Sequence, residues 1–204
     1  MAAVSETIVR EYFELHEFLV RQRTKFISQT HEGEDDDIDF FVLNPRTAPP
    51  LPQGGLPFVL ASADLPHVSR ALVVVKPWHT EVFSAARLAA SPQILRFTES
   101  QFFKDAAAAF GEGGPALRLL VVPALPREAR AREESIALLR AKRIDAVIPF
   151  RVMLADLIAT IEPNRNYAKS DLLQTIRILK NYDFFKGPQL ELFRTRKKRR
   201  KPGN

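Results

Sequence analysis

Residues 117–149 read LRLLVVPALPREARAREESIALLRAKRIDAVIP, and this stretch decides the class of fold. Leu117–Val122 is a continuous apolar run, the mark of a central strand buried on both faces. Arg127–Lys142 has a helical pattern, Asp145–Pro149 reads as a strand, and Arg151–Ile161 as another helix. Strand, helix, strand in this order is a parallel crossover unit. The second half of the chain is therefore expected to be α/β.

Upstream, the glycine-rich break Gly111–Gly114 precedes that strand, and helical patterns lie around Glu81–Ala90 and Glu99–Phe110. Thr80 is placed to cap the first of these. Leu72–Lys76 is an almost pure β-branched strand that Pro77 ends, since proline cannot continue ladder hydrogen bonding. Asn44–Pro57 holds five prolines and two glycines and must be a loop. Ile38–Leu43 is an apolar run short enough for a buried strand, and Phe18–Phe26 approaches a period-two strand. With the polar turn His31–Asp36 between them, these two are expected to form a hairpin. Ser5 can cap a first helix reaching about His16, with Ile8, Val9, Tyr12, Phe13 and Leu15 on its apolar face. At the other end, Ser170 caps a last helix with Leu172, Leu173, Ile176 and Leu179 on one face, and Asp171 suits its dipole.

At 204 residues, 46% of them hydrophobic and 26% charged, the chain can build one well-formed core. A single α/β domain over residues 1–193 is expected, followed by a disordered basic tail over 194–204. No run of about eighteen apolar residues occurs, and the N-terminus lacks a basic-then-apolar order, so a cytoplasmic protein without membrane segments is expected. The absence of cysteine excludes disulfides, thiolate metal sites and cysteine nucleophiles, so any metal must be held by oxygen or imidazole.

The net charge of +6 is unevenly distributed. Seven of the 30 basic residues are Arg194, Arg196, Lys197, Lys198, Arg199, Arg200 and Lys201, which leaves 23 against 24 acids in residues 1–193. Such a run buries nothing and stays solvated. It suits nonspecific contact with phosphates through counterion release, and it equally suits a solubility tail.

Most catalytic signatures are absent. There is no phosphate-binding Gly-rich loop, no G-x-G-x-x-G and no Gly-x-Ser-x-Gly elbow. His16, His31, His67 and His79 show no metal-ligand spacing and are expected in solvated or structural roles. One constellation remains. A helix bearing Glu6 is followed by a strand containing Val20-Arg21-Gln22-Arg23, then Asp37-Ile38-Asp39-Phe40-Phe41, then Val73-Val74-Val75-Lys76. Over about residues 4–80 this arrangement resembles the PD-(D/E)XK, or restriction-endonuclease-like, superfamily. It is most similar to the archaeal Holliday-junction-resolvase branch.

The resemblance implies a restriction-endonuclease-like mixed central sheet flanked by helices, with additional C-terminal α/β elements. It implies Glu6, Asp39 and Lys76 as the catalytic set, with Glu11 the second choice for the helix acid, and a metal at Asp39, for which Asp37, on the same strand face by the two-residue period, is the candidate second ligand. The chemistry fits these residue types. Phosphodiester hydrolysis needs a divalent cation held by hard carboxylates, and a lysine beside them orients water or stabilises developing charge. The sequence departs from the pattern at Val74, where the superfamily has an acid two residues before the lysine, and at Ile38, where it has proline. Mg²⁺ is therefore expected to bind weakly or not at all, unless Asp37 or Glu81 substitutes.

Trp78 and His79 place two rings beside this site, where a base would stack, although packing is the commoner use of a lone tryptophan. Arg165, Tyr167 and Lys169 lie in a polar connection suited to a phosphate backbone or to an ordinary turn. The expected partner is nucleic acid, DNA ahead of RNA, bound by Trp78, His79, Arg165, Lys169, Arg196, Lys197, Lys198, Arg199 and Arg200. A homodimer stays open. The expected function is nucleic-acid binding with metal-dependent hydrolysis lost, weakened or relocated. The alternative is a noncatalytic protein-interaction module with a solubilising tail.

Overall fold

A computed structural model of the chain describes residues 2–22, 38–98 and 116–185. The expected turn at His31–Asp36, the helical pattern Glu99–Phe110, the glycine break and the basic tail lie outside the described residues. So do Asp37 and the first expected strand beyond Gln22.

The described elements are α1 (Ala2–Leu15), β1 (Leu19–Gln22), β2 (Phe40–Leu43), β3 (Arg70–Val75) and α2 (Ala85–Ala90), then β4 (Leu117–Val122), α3 (Ala129–Ala141), β5 (Ala146–Pro149), α4 (Phe150–Thr160) and α5 (Asp171–Asn181). Two 3₁₀ segments, Ser62–His67 and Pro92–Thr98, complete the set. One five-stranded mixed sheet runs in the order β1-β2-β3-β4-β5. Its first three strands form an antiparallel meander, so the expected hairpin is present, and β3, β4 and β5 are parallel. The α/β class read from residues 117–161 follows directly: each parallel step needs a crossover, and α3 supplies the one between β4 and β5.

The apolar runs are continuous because both faces are covered. Leu72, Val74, Leu120, Val122 and Val147 share a core with Leu88 of α2, Ile94 and Leu95 of the second 3₁₀ segment, and Leu139 of α3. The intervening residues Val73, Val75, Leu119, Val121 and Ile148 are buried too, and α1 packs on β3 through a face carrying the fully buried Val9, Tyr12 and Phe13. Each of those three side chains contributes about 1.5–3 kcal/mol on burial. Burial also pushes the Tyr12 phenol up to about 12, so it stays protonated beside Ser62 Oγ at 3.0 Å. His16 Nε2 meets Asp156 Oδ2 at 2.7 Å and ties α1 to α4.

The outer edge of β5 is covered. Val147 N–H donates to Phe58 O at 2.8 Å, and Leu60 N–H donates to Val147 O at 2.9 Å, so residues 58–60 run alongside it in parallel. This removes one of the two unpaired edges that an open sheet presents. Asn44–Pro57 holds no helix or strand, as its prolines require.

Two helix starts differ from expectation. Ser5 does not cap α1: Ala2 and Ala3, strong helix formers, extend the helix upstream, and Ser5 is buried with its hydroxyl on His79. Thr80 does not cap α2 either. Phe83 is fully buried and its N–H donates to Ala124 O, which draws residues 81–83 inward, and Ser84 caps the helix by accepting from Arg87 N–H. Ser170 does cap α5, accepting from Leu173 N–H at 3.3 Å. Glu128, at the start of α3, accepts from Arg130 and Ala131 N–H, and these bonds hold its carboxyl below the usual range.

Three helices stop on one device. Among the described residues, the non-glycine residues with positive φ are Glu17 (64°), Arg143 (64°) and Asp183 (62°), just past the ends of α1, α3 and α5. In each case the left-handed residue and its successor donate back into the last turn: Glu17 to Glu14 O and Phe18 to Phe13 O, Arg143 to Arg140 O and Ile144 to Leu139 O, Asp183 to Lys180 O and Phe184 to Leu179 O. These are Schellman closures with the glycine replaced. A side chain in the left-handed region costs about 1–2 kcal/mol, part of which glycine returns as unfolded-state entropy. Arg143→Gly, at an exposed position, is expected to stabilise the protein by about 1 kcal/mol. A shift of the urea midpoint to higher concentration checks this, and a lower midpoint contradicts it.

Contacts divide the chain into two compact units, residues 1–159 and 160–204. The sheet and α1–α3 belong to the first, with α4 up to Ala159. In the second, the connection 161–170 is tied to α5: Arg177 Nε donates to Pro163 O at 2.8 Å, Lys180 Nζ to Ile161 O at 2.5 Å, and Tyr167 Oη accepts from Glu162 N–H at 3.1 Å. Among the described residues no helix is long and apolar enough to cross a membrane.

Candidate functional site

The phase of the β2–β3 ladder is set by Asn44 N–H, which donates to Ser69 O at 2.8 Å. Counting two residues at a time, 42 and 71, then 40 and 73, are bonded pairs, and 38 and 75 would come next. The ladder slips there. Asp39 N–H donates to Val73 O at 2.9 Å, and Val75 N–H turns to the Asp39 carboxylate, reaching Oδ2 at 2.7 Å. The extra residue, Asp39 just ahead of β2, thus makes a bulge, and its side chain replaces the missing carbonyl.

Asp39 is 9% exposed and Lys76, the residue after β3, is 8% exposed. Lys76 N–H continues the parallel ladder to Val121 O at 3.1 Å. Glu11, on the face of α1 next to Tyr12, is also 8% exposed. These are the three charged side chains that are buried among the described residues. Burial costs a charge several kcal/mol unless other groups compensate it, so the burial of two acids and one amine is a specific feature.

The end of the sheet that carries Asp39 and Lys76 gathers further polar groups. Ser5 Oγ and His79 Nε2 are 2.9 Å apart, and the His79 ring stands edge-on to Phe150, 4.6 Å between centroids, where β5 passes into α4. Glu6 Oε2 accepts from Gln22 Nε2 at 2.7 Å, and Gln22 pairs with Phe40, the neighbour of Asp39. The first half of α1 therefore lies over the end where β3, β4 and β5 finish, which is where open α/β sheets hold ligands.

Of the expected catalytic set, Asp39 and Lys76 are buried at this end, whereas Glu6 is only partly buried and engaged with Gln22. Glu11, its second choice, is the buried α1 acid. Burial, and next the charge of Glu11, push the Glu14 carboxyl above its usual range. Val74 is 1% exposed and belongs to the apolar core with Leu72, Phe83 and Leu120. Glu81 lies 3.3 Å from Arg87 Nε. Trp78 is packed, edge-on to Phe83 at 5.9 Å, with the Arg87 guanidinium 5.3 Å from its ring centroid. Arg165 and Lys169 are exposed in the second unit. Asp37, Arg196, Lys197, Lys198, Arg199 and Arg200 lie outside the described residues.

The Ser5–His79 pair and the bulge went unseen in the sequence. A serine on the apolar face of α1 was the available sign of the first; a one-residue slip leaves no sign in composition or period. The other described histidines are hydrogen-bonded as well, His16 to Asp156 and His67 Nδ1 to Pro49 O at 3.4 Å.

Among the described residues no group of three histidine, aspartate or glutamate side chains is placed to hold a metal. A cleft of about 350 Å³ opens at the other end of β2 and β3, beside His16, Phe18, Asn44, Pro66 and the Glu17–Arg46 ion pair. It contains none of the expected site residues.

No family model, curated protein or solved structure matches the chain.

Proposed function

We propose that the chain is a nucleic-acid-binding protein on a restriction-endonuclease-like scaffold, with metal-dependent phosphodiester hydrolysis lost, weakened or relocated. The observation that carries this reading is the burial of Asp39 just before β2, Lys76 just after β3 and Glu11 on α1, two acids and an amine. Isolated surface charges at strand ends have no reason to be buried. The mixed sheet, a meander β1-β2-β3 followed by parallel β4 and β5, supports this reading.

Binding is favoured over hydrolysis by the state of the acids. One Asp39 oxygen is committed to Val75 N–H, and position 74 offers a valine inside the core. The basic run Arg194–Lys201 supplies affinity for phosphates without sequence preference.

The test is incubation of the full chain with branched, single-stranded and duplex DNA and with RNA, in Mg²⁺ or Mn²⁺, with binding and cleavage read in parallel. Binding to DNA with slow or no cleavage is expected, and any cleavage is expected to disappear in Asp39→Asn and Lys76→Met. Cleavage that persists unchanged in both variants removes this end of the sheet from the function. Absence of binding to every nucleic acid at low ionic strength overturns the whole reading.

A further inference from the structure

Charge separates between the two units. Residues 160–204 hold twelve Lys and Arg against four Asp and Glu, a net +8, whereas residues 1–159 hold 18 against 20, a net −2. The unit with the buried acids repels a polyanion weakly, and the other attracts it strongly.

The attracting unit also displays rings. Tyr182 is 75% exposed, Phe184 74% and Phe185 40%. Solvent-exposed phenylalanines in succession are unusual, because each forgoes about 1.5–3 kcal/mol of burial. The chain here is held in place: α5 closes on Tyr182, Asp183 takes the left-handed conformation, and Phe184 N–H returns to Leu179 O at 3.0 Å. The backbone at Tyr182 and Phe184 is thereby bonded to the last turn of α5. Arg165 and Lys169 stand exposed in the connection tied to the same helix.

We infer that Tyr182, Phe184 and Phe185, presented past the end of α5 in the strongly basic unit, form a stacking platform for the bases of a single-stranded nucleic acid. Every base has a π-face, so stacking is indifferent to sequence, and it needs unpaired bases, which a duplex does not offer. The cations of this part of the sequence, seven of them in Arg194–Lys201, neutralise the backbone of the same strand. An anionic membrane suits the surface less well. Membrane docking uses a continuous apolar helix face, and in α5 Leu173 and Ile176 of that face are already buried.

This inference rests on the nucleic-acid reading above, and its test separates the two. Full-length protein and the variant Tyr182→Ala/Phe184→Ala/Phe185→Ala are titrated by fluorescence anisotropy against oligothymidine, against a duplex of equal length, and against phosphatidylserine vesicles. Wild type is expected to bind the single strand in preference to the duplex. The variant is expected to bind the single strand about 100-fold more weakly, roughly tenfold for each of two stacked bases, while duplex binding stays within about threefold. Tyr182→Phe, which keeps the ring, is expected to bind as wild type does, and an unchanged melting curve shows that the alanine variant is folded. Single-strand binding that survives the triple substitution, or equal loss on strand and duplex, overturns the platform and leaves the nucleic-acid reading standing. Vesicle binding that depends on the rings while single-strand binding does not overturns it in favour of a membrane surface. A wild-type protein that binds no nucleic acid sinks both.

Discussion

Asp39→Ala is expected to destabilise the sheet unit by about 2–4 kcal/mol. The carboxylate is the acceptor of the Val75 N–H at 2.7 Å, in a place that is 9% exposed. Alanine leaves that N–H without an acceptor where the bulge has already removed the carbonyl of a regular ladder. An unsatisfied buried donor costs about 1–3 kcal/mol, and the lost bond is charge-assisted, which adds to it. Asp39→Asn keeps an oxygen of the same reach and is expected to recover more than half of the loss. Urea denaturation of the two variants reads both effects. Equal and small losses in the two contradict the bulge, and with it the placement of the acid.

Val74→Asp is expected to prevent folding at neutral pH, with a loss above about 4 kcal/mol. This substitution puts back the acid that the superfamily pattern has before the lysine. In this chain position 74 points into the core among Leu72, Phe83, Leu120 and Val122, 1% exposed and so cut off from bulk solvent. Val74→Thr, nearly the same shape with one hydroxyl, is expected to cost only about 1–3 kcal/mol, which shows that charge rather than volume does the damage. Circular dichroism and urea denaturation decide. A folded Val74→Asp protein that acquires Mg²⁺-dependent cleavage contradicts this picture, because the side chain must then reach the polar end of the sheet. If hydrolysis survives in the wild type, its acids come from elsewhere, and Glu11 is the buried candidate among the described residues.

Strands β2 to β5 were legible because each is an apolar run bounded by polar or breaking residues, and Leu72–Lys76 was misplaced by only a residue or two against Arg70–Val75. The helix ends were less so. Sequence reading looks for glycine after a helix, and α1, α3 and α5 stop instead on Glu17, Arg143 and Asp183, residues whose type announces nothing. Thr80 and Ser84 are equally good caps by type. The choice between them was made by the burial of Phe83, a tertiary contact that no local pattern contains.

Asp39 and Lys76 stood out in the sequence because each is a charge abutting an apolar run, and both are buried at one end of the sheet. Glu6 and Glu11 could not be separated by period, since they border the apolar face of α1 on opposite sides. Burial separates them: Glu11 is enclosed, and Glu6 reaches out to Gln22. The aromatic end of α5 was not legible as a surface, because residue type alone does not distinguish an exposed ring from a buried one at Tyr182, Phe184 and Phe185.

The salt dependence of nucleic-acid binding by the full chain, compared with the chain lacking residues 194–204, tests the central claim most directly. The deleted segment removes seven cations, and each phosphate contact contributes about 0.9 to the slope of log affinity against log salt on duplex DNA. The account predicts a steep negative slope for the full chain, made shallower by several units in the truncated one, with residual binding that depends on the rings beyond α5. A full chain whose affinity is absent or insensitive to salt would contradict it.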